Sequence, residues 1–200
     1  MKKYFLLLLV IFSCQQSRKE TTAQDEPNES YSVEDNPPIE EAIFVKNSLH
    51  RKFFESDKID HYYLDISEED ANDILAIENK SDNQKILASL LMSSYPEKIP
   101  DNDLESNLKK FKFIKTELNQ KRKTQVENIF SEQDSIQNVF SGCIPYYRDI
   151  FIFKKNDSIV GISKVCFGCG VSQFRGTKIN TEGFGLHSEL EKLEKIIRNK

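Results

Sequence analysis

The hydrophobic pattern changes period several times along the chain. Its order predicts strand, helix, helix, strand and helix, followed by a hairpin and a closing helix. From His61 to Ile66, Tyr62, Leu64 and Ile66 alternate with His61, Tyr63 and Asp65, the period of a half-buried strand. Ser67-Glu68-Glu69-Asp70 then has the form of a helix start. The hydroxyl can accept from a free amide of the first turn, and acidic residues suit the positive end of the helix. Ala71, Ile74 and Leu75 carry the helical spacing on to about Asn79, and Ile86, Leu87, Leu90 and Leu91 predict a second helix over about Asn83 to Ser94, before Pro96. Alternation around Phe111 and Phe113 predicts a strand over Lys110 to Leu118, and Val126, Ile129 and Phe130 predict a helix over Gln120 to Ser131. Upstream, Glu40 to Glu55 reads as a helix on Ala42, Ile43, Val45, Leu49, Phe53 and Phe54, although Ala42 to Val45 also fits a strand.

The strongest local signal is Asp149 to Phe153 and Ile159 to Phe167, joined by Lys154-Lys155-Asn156-Asp157-Ser158. Asn156 and Asp157 tolerate a left-handed backbone, so the segment predicts a hairpin. Ile150 and Ile152 face away from Phe151 and Phe153, which requires a central strand covered on both sides. A turn centred between Asn156 and Asp157 places Phe153 opposite Val160, Phe151 opposite Ile162 and Cys143 opposite Gly170. Leu186, Leu190, Leu193 and Ile197 form the stripe of a closing helix, with Glu191–Lys195 and Glu194–Arg198 as supporting pairs one turn apart. The expected fold is α+β, a small antiparallel sheet with a central hairpin at about 148–167, packed by several amphipathic helices including the C-terminal one.

All seven glycines and three of the four cysteines lie between Gly142 and Gly185. No glycine loop for phosphate can form earlier, and the chain has no nucleophile elbow and no paired histidines at metalloprotease spacing. Folding the hairpin carries Cys143, Cys166 and Cys169 to the end far from its turn. Three readings of that cluster stay open. A disulfide from Cys143 to Cys166 or Cys169 would staple the end and leave one thiol. Cys166-Phe167-Gly168-Cys169-Gly170 resembles a zinc knuckle, with Cys143 as third ligand and His187 as the histidine after the cluster, so zinc is the one cofactor considered. A redox C-x-x-C would open a helix, whereas the residues after Gly170 have strand or loop character. Covalent haem is set aside, because Gly170 stands where a histidine is required.

At the same end, Arg148 and Asp149 are candidate binding residues, or an ordinary ion pair at a strand entry. His61 reads as a packed or surface histidine before a ligand or base. Asp65, Glu68, Glu69, Asp70 and Asp73 lack the alternation and central glycine of a calcium loop and read as a solvated helix start.

At the N-terminus Lys2 and Lys3 precede an apolar run from Tyr4 to Phe12, then Ser13 and Cys14. The run is shorter than the roughly 20 residues a spanning helix needs and reads as an export signal. Ile11-Phe12-Ser13-Cys14 resembles the lipobox of bacterial lipoproteins. That resemblance implies cleavage before Cys14, diacylglycerol on its sulfur and lipid anchoring in the cell envelope, in the outer membrane where the cell has one. Cleavage would remove Lys2 and Lys3 and take the formal net charge from -4 to -6, so no basic surplus remains for a nucleic-acid partner. Gln15 to Pro38 is acidic and holds three prolines with almost no large apolar residues, the composition of a disordered tether.

The expected organisation is a signal peptide at 1–13, a lipidated cysteine and tether at 14–38, and one domain at 39–200 with a cysteine-bearing module at 142–200. Cys143-x-Pro145-x-x-Arg148-Asp149, the hairpin, Cys166-Phe167-x-Cys169-Gly170 and Phe184-Gly185 resemble a pattern in small uncharacterised bacterial lipoproteins and secreted proteins. The resemblance implies a shared module and no particular activity. The expected function is a non-enzymatic structural or binding role at the cysteine end, with a thiol-redox or zinc-binding protein using Cys143, Cys166 and Cys169 as the alternative.

Overall fold

A strand with large apolar side chains on both faces has to be covered on both, and Ile150, Phe151, Ile152 and Phe153 are each at most 1% exposed. A computed structural model describes residues 44–45, 50–93, 95–136, 142–186 and 188–198, all within the compact unit Glu40–Lys200. The predicted signal peptide, Cys14, the tether, Ala42, Ile43, Leu49 and His187 lie outside the described residues.

The fold is α+β, with five helices and a five-stranded antiparallel sheet among the described residues. Strand β5 (Asp149–Lys155) lies in the middle of the sheet. On one side are β2 (Lys58–Tyr63) and the edge strand β3 (Ile114–Glu117), and on the other are β6 (Ser158–Cys166) and the edge strand β7 (Val171–Arg175). Helices α1 (Glu68–Ala76), α2 (Asp82–Met92) and α3 (Leu104–Lys110) pack Ala71, Leu90, Leu91, Leu104 and Leu108 against the isoleucine face. Helices α4 (Gln120–Ile129) and α5 (Glu189–Arg198) cover the phenylalanine face with Val126, Leu190 and Leu193. Phe130, just after α4, centres that second core, its ring 5.3 Å from Phe151, 5.2 Å from Phe153 and 5.0 Å from Phe184.

Local signals fix most helix starts. Ser67 accepts from the Asp70 amide, as its sequence predicts, and Ser81 and Gln84 form a full capping box at α2. The C-terminal end of α2 has no basic residue of its own in its last turn. Its carbonyls are met from β6 and from the chain leading into β5 instead, with the Tyr147 amide donating to Leu91 O (2.7 Å) and the buried Lys164 ammonium donating to Ser89 O (3.1 Å) and to Ser93 O. Burial, with Arg175 nearby, pushes the Lys164 ammonium down to about 7.

Three expectations are corrected. The helix expected over 40–55 is absent where it is described. Phe44–Val45 is a short strand β1 pairing with β4 (Ser135–Ile136), and the Phe53 amide donates to Phe130 O while the Glu132 amide donates to Arg51 O. Pairing with the chain after α4 overrides the helical spacing there. The strand expected over Lys110 to Leu118 shrinks to Ile114–Glu117, because Leu104 and Leu108 bury one face of a helix that runs to Lys110. Strand β2 starts at Lys58 rather than His61, and its residues from Ile59 to Tyr62 are buried on both faces, so the pattern does not alternate cleanly.

The hairpin turn is as expected, with Asn156 at φ 50° and Asp157 at φ 60° and Lys155 paired to Ser158. A bulge then shifts the register between Phe153 and Lys154, so Phe153 faces Gly161 and Phe151 faces Ser163, each one residue past its expected partner. Gly161 sits where the Phe54 ring lies against the backbone, 2.1 Å from where a Cβ would stand, and the same ring lies 4.3 Å from Phe153. Only a residue without a side chain lets that ring reach the sheet.

Gly161→Ala is therefore expected to destabilise the fold by about 1–3 kcal/mol through overpacking, read as a lower urea midpoint. An unchanged midpoint would contradict the close approach. The depressed Lys164 makes the unfolded chain bind more protons than the folded one between about pH 7 and the ordinary lysine range. Its contribution to stability thus rises with pH across that window. The gain in urea midpoint from pH 7 to 9 is expected to shrink in Lys164→Met.

Candidate functional site

The hairpin brings its far end together as the sequence argument requires. Cys143 and Cys169 form a disulfide with Cα atoms 5.6 Å apart, the second of the two pairings left open. Closing a loop of 26 residues' separation stabilises the fold by about 3 kcal/mol through chain entropy. Among the described residues Cys166 is the free cysteine and is buried, beside Tyr147, whose phenol is held above its ordinary range by burial and by that thiol. Residues 167–170 form a turn into β7 with Gly170 at φ 69°, so strand and not helix follows the C-x-x-C. In this state two of the three thiols considered as zinc ligands are joined to each other. Among the described residues no three His, Cys, Asp or Glu groups converge as a metal site.

Beside the disulfide, the ends of β2 and β6, the start of β5 and the last turns of α5 border a half-open cavity of about 400 Å³. Tyr63, Tyr146, Arg148, Asp149, Phe167, Gly168, Glu194 and Arg198 line it, together with Val165. The sheet register accounts for the assembly. Asp149 pairs with Tyr63 on one side and Val165 on the other, so neighbouring strand ends deliver their side chains to one place.

Asp149 is the charged centre of the wall. It is 2% exposed and starts the strand on the same face as Phe151. The His61 Nε2–H donates to its Oδ1 (2.8 Å) and an Arg198 guanidinium N–H donates to its Oδ2 (2.8 Å), so both oxygens are engaged. His61 is buried behind it, its ring stacked 4.8 Å from Phe151. Arg198 lies over the Tyr63 ring at 4.3 Å and near Phe167 at 5.7 Å. Burial and Asp65 hold the Tyr63 phenol above its ordinary range. Arg148 reaches back to donate to Ile66 O (3.2 Å), and Tyr146 donates its hydroxyl to Asn72 on α1.

A second charged group, near β3, is closed on itself. Asp60, fully buried, meets Lys115 at 2.9 Å and Lys154 at 3.0 Å, and Lys154 meets Glu105 at 2.8 Å. Tyr62 donates to Glu105 at 2.6 Å. Burial alone would raise the Glu105 carboxyl, but the hydrogen bonds from Lys154 and Tyr62 hold it below its ordinary range. Its two carboxylates and two ammonium groups neutralise one another in charge, both lysines meeting Asp60 through Oδ2 while its buried Oδ1 has no hydrogen-bond partner among the described residues, and the cluster reads as structural.

Of the residues singled out by sequence, Arg148 and Asp149 line the cavity, Cys143 and Cys169 staple its flank, and Cys166 packs in the core. They are not an isolated Arg-Asp pair, since Asp149 pairs with His61 and Arg198. The Glu191–Lys195 pair forms at 2.5 Å, but Arg198 reaches Asp149 and not Glu194. That is a correction to the second expected helix pair, because a buried carboxylate attracts the guanidinium more strongly than an exposed one. Tyr63, Tyr146, Phe167 and Gly168 carried no local signal as site residues. Comparison with protein-family models, with curated proteins and with solved structures finds no match, so the reading of the site rests on its geometry.

In the full chain with Cys14→Ser, thiol titration is expected to find none reactive in the native protein, one after unfolding without reductant and three after reduction. Cys143→Ser should lower stability by about 3 kcal/mol. Three thiols without reductant would eliminate the staple.

Proposed function

We propose that the protein is a lipid-anchored envelope protein that binds a small polar ligand, without chemistry of its own, in the cavity at the stapled end of the sheet. The observation that carries this is Arg148, a half-buried cation in the cavity wall with no carboxylate partner among the described residues. Cavities of this size hold small ligands with most of their surface buried. The disulfide and the bulged hairpin hold the wall in place before any ligand arrives, which limits the ordering cost of binding. The lining does not suit acid-base work. Each Asp149 oxygen already accepts an N–H, the carboxylate is 2% exposed, and His61 is buried behind it, an arrangement that favours a fixed ion pair over proton transfer to a bound molecule. The anchor rests on the lipobox-like residues before Cys14, and the acidic, proline-bearing stretch after it supports a spacer that holds the domain on the order of 25 Å from the bilayer.

Gly168 offers a clean test. A Cβ there meets nothing within 4 Å, and its backbone does not require glycine. Gly168→Trp in the full chain is expected to keep the melting temperature and fill the cavity. Small molecules that leave the denatured wild type after isolation from its envelope, read by mass spectrometry, should be missing from the variant. Identical small-molecule content in the two proteins would overturn the reading. The intact mass of the same wild-type sample is expected to show a chain beginning at Cys14 with diacylglycerol, and an unprocessed mass would remove the anchor.

A further inference from the structure

The charges of the cavity define the class of ligand, an inference that rests on the binding reading above. Four charged side chains line it, Arg148, Asp149, Glu194 and Arg198. Asp149 and Arg198 neutralise each other, with His61 completing the pair from behind. The remaining two have no ion-pair partner among the described residues. Arg148 spends one guanidinium N–H on the Ile66 carbonyl, and Glu194, exposed on α5 one turn before Arg198, faces the same space. In the Asp60 cluster each charge has its counter-ion within 3.5 Å. Here one cation and one anion are left open.

From this arrangement we infer that the ligand is a small zwitterion of the α-amino acid class. A simple anion would pair with Arg148 but lie beside Glu194 uncompensated, and a simple cation would pair with Glu194 but lie beside Arg148. A molecule with a carboxylate and an ammonium group satisfies both open charges. The planar guanidinium of Arg148 can grip the carboxylate with two parallel hydrogen bonds, and Glu194 receives the ammonium. The Arg198 guanidinium lies over the Tyr63 ring and beside Phe167, so the wall meets the ligand mainly through polar groups. The about 400 Å³ available suits a single amino acid.

The test is calorimetric titration of the full chain with the L-amino acids, and with the des-amino acid and the decarboxylated amine corresponding to each. At least one amino acid is expected to bind about tenfold or more tightly than both of its single-charge analogues. Glu194→Gln should erase the advantage over the des-amino acid, Arg148→Gln the advantage over the amine, and Gly168→Trp should abolish binding altogether. A des-amino acid binding as tightly as its amino acid, with Glu194→Gln without effect, would make this an anion site and overturn the proposal. Amino acids that bind Gly168→Trp as well as wild type would overturn it too, by placing them elsewhere. If no amino acid binds while the wild type still carries a molecule that Gly168→Trp loses, the zwitterion inference fails and the binding reading survives. If that molecule is missing as well, both fail.

Discussion

The structure depends on the burial of one strand from both sides. Strand β5 directs isoleucines to three helices and phenylalanines to two, and each face needs its own cover. The division fixes which residues elsewhere in the chain are free to serve other ends. On the phenylalanine face the Phe54 ring, packed on Phe153, lies so close to the backbone that Gly161 has to be without a side chain. The bulge beside it adjusts the register from the turn to the far end of the hairpin. Packing near the turn therefore influences what lies opposite what at the cavity.

The same strand ends its apolar run at Asp149. A carboxylate 2% exposed on such a face is tolerable only with partners, and its two partners come from different elements, His61 from β2 and Arg198 from α5. That requirement ties the last turn of the closing helix to the sheet. Tyr63 and Phe167 then flank the guanidinium, and the disulfide closes the side where the chain leaves β6. A structural need, neutralising one buried charge, thus builds most of the wall of the cavity.

Much of the architecture was legible because it is local. Alternation of isoleucine and phenylalanine showed the two-faced strand, Asn156-Asp157 showed the reversal, and the serine caps marked helix starts. The clustering of cysteines followed from the reversal alone, since any small shift in register still carries Cys143 toward Cys169. Errors arose where distant segments decide. The chain around Phe53 has helical spacing but pairs with residues after Phe130, and Arg198 has a carboxylate one turn away but reaches a buried one across the fold. Arg148 and Asp149 stood out by sitting at the cysteine end. Tyr63, Phe167 and Glu194 look like ordinary strand, turn and helix residues until the sheet is assembled.

The amino-acid order by itself determined the α+β class, the central hairpin, the closing helix and the meeting of cysteines, because these follow from side-chain periodicity and backbone preference within a few neighbours. Only the tertiary structure decided which cysteine pairs, where the bulge falls, which carboxylate holds Arg198 and which charges stay open in the cavity. Those outcomes depend on burial, and burial is a property of the whole packed molecule that no short stretch of sequence contains.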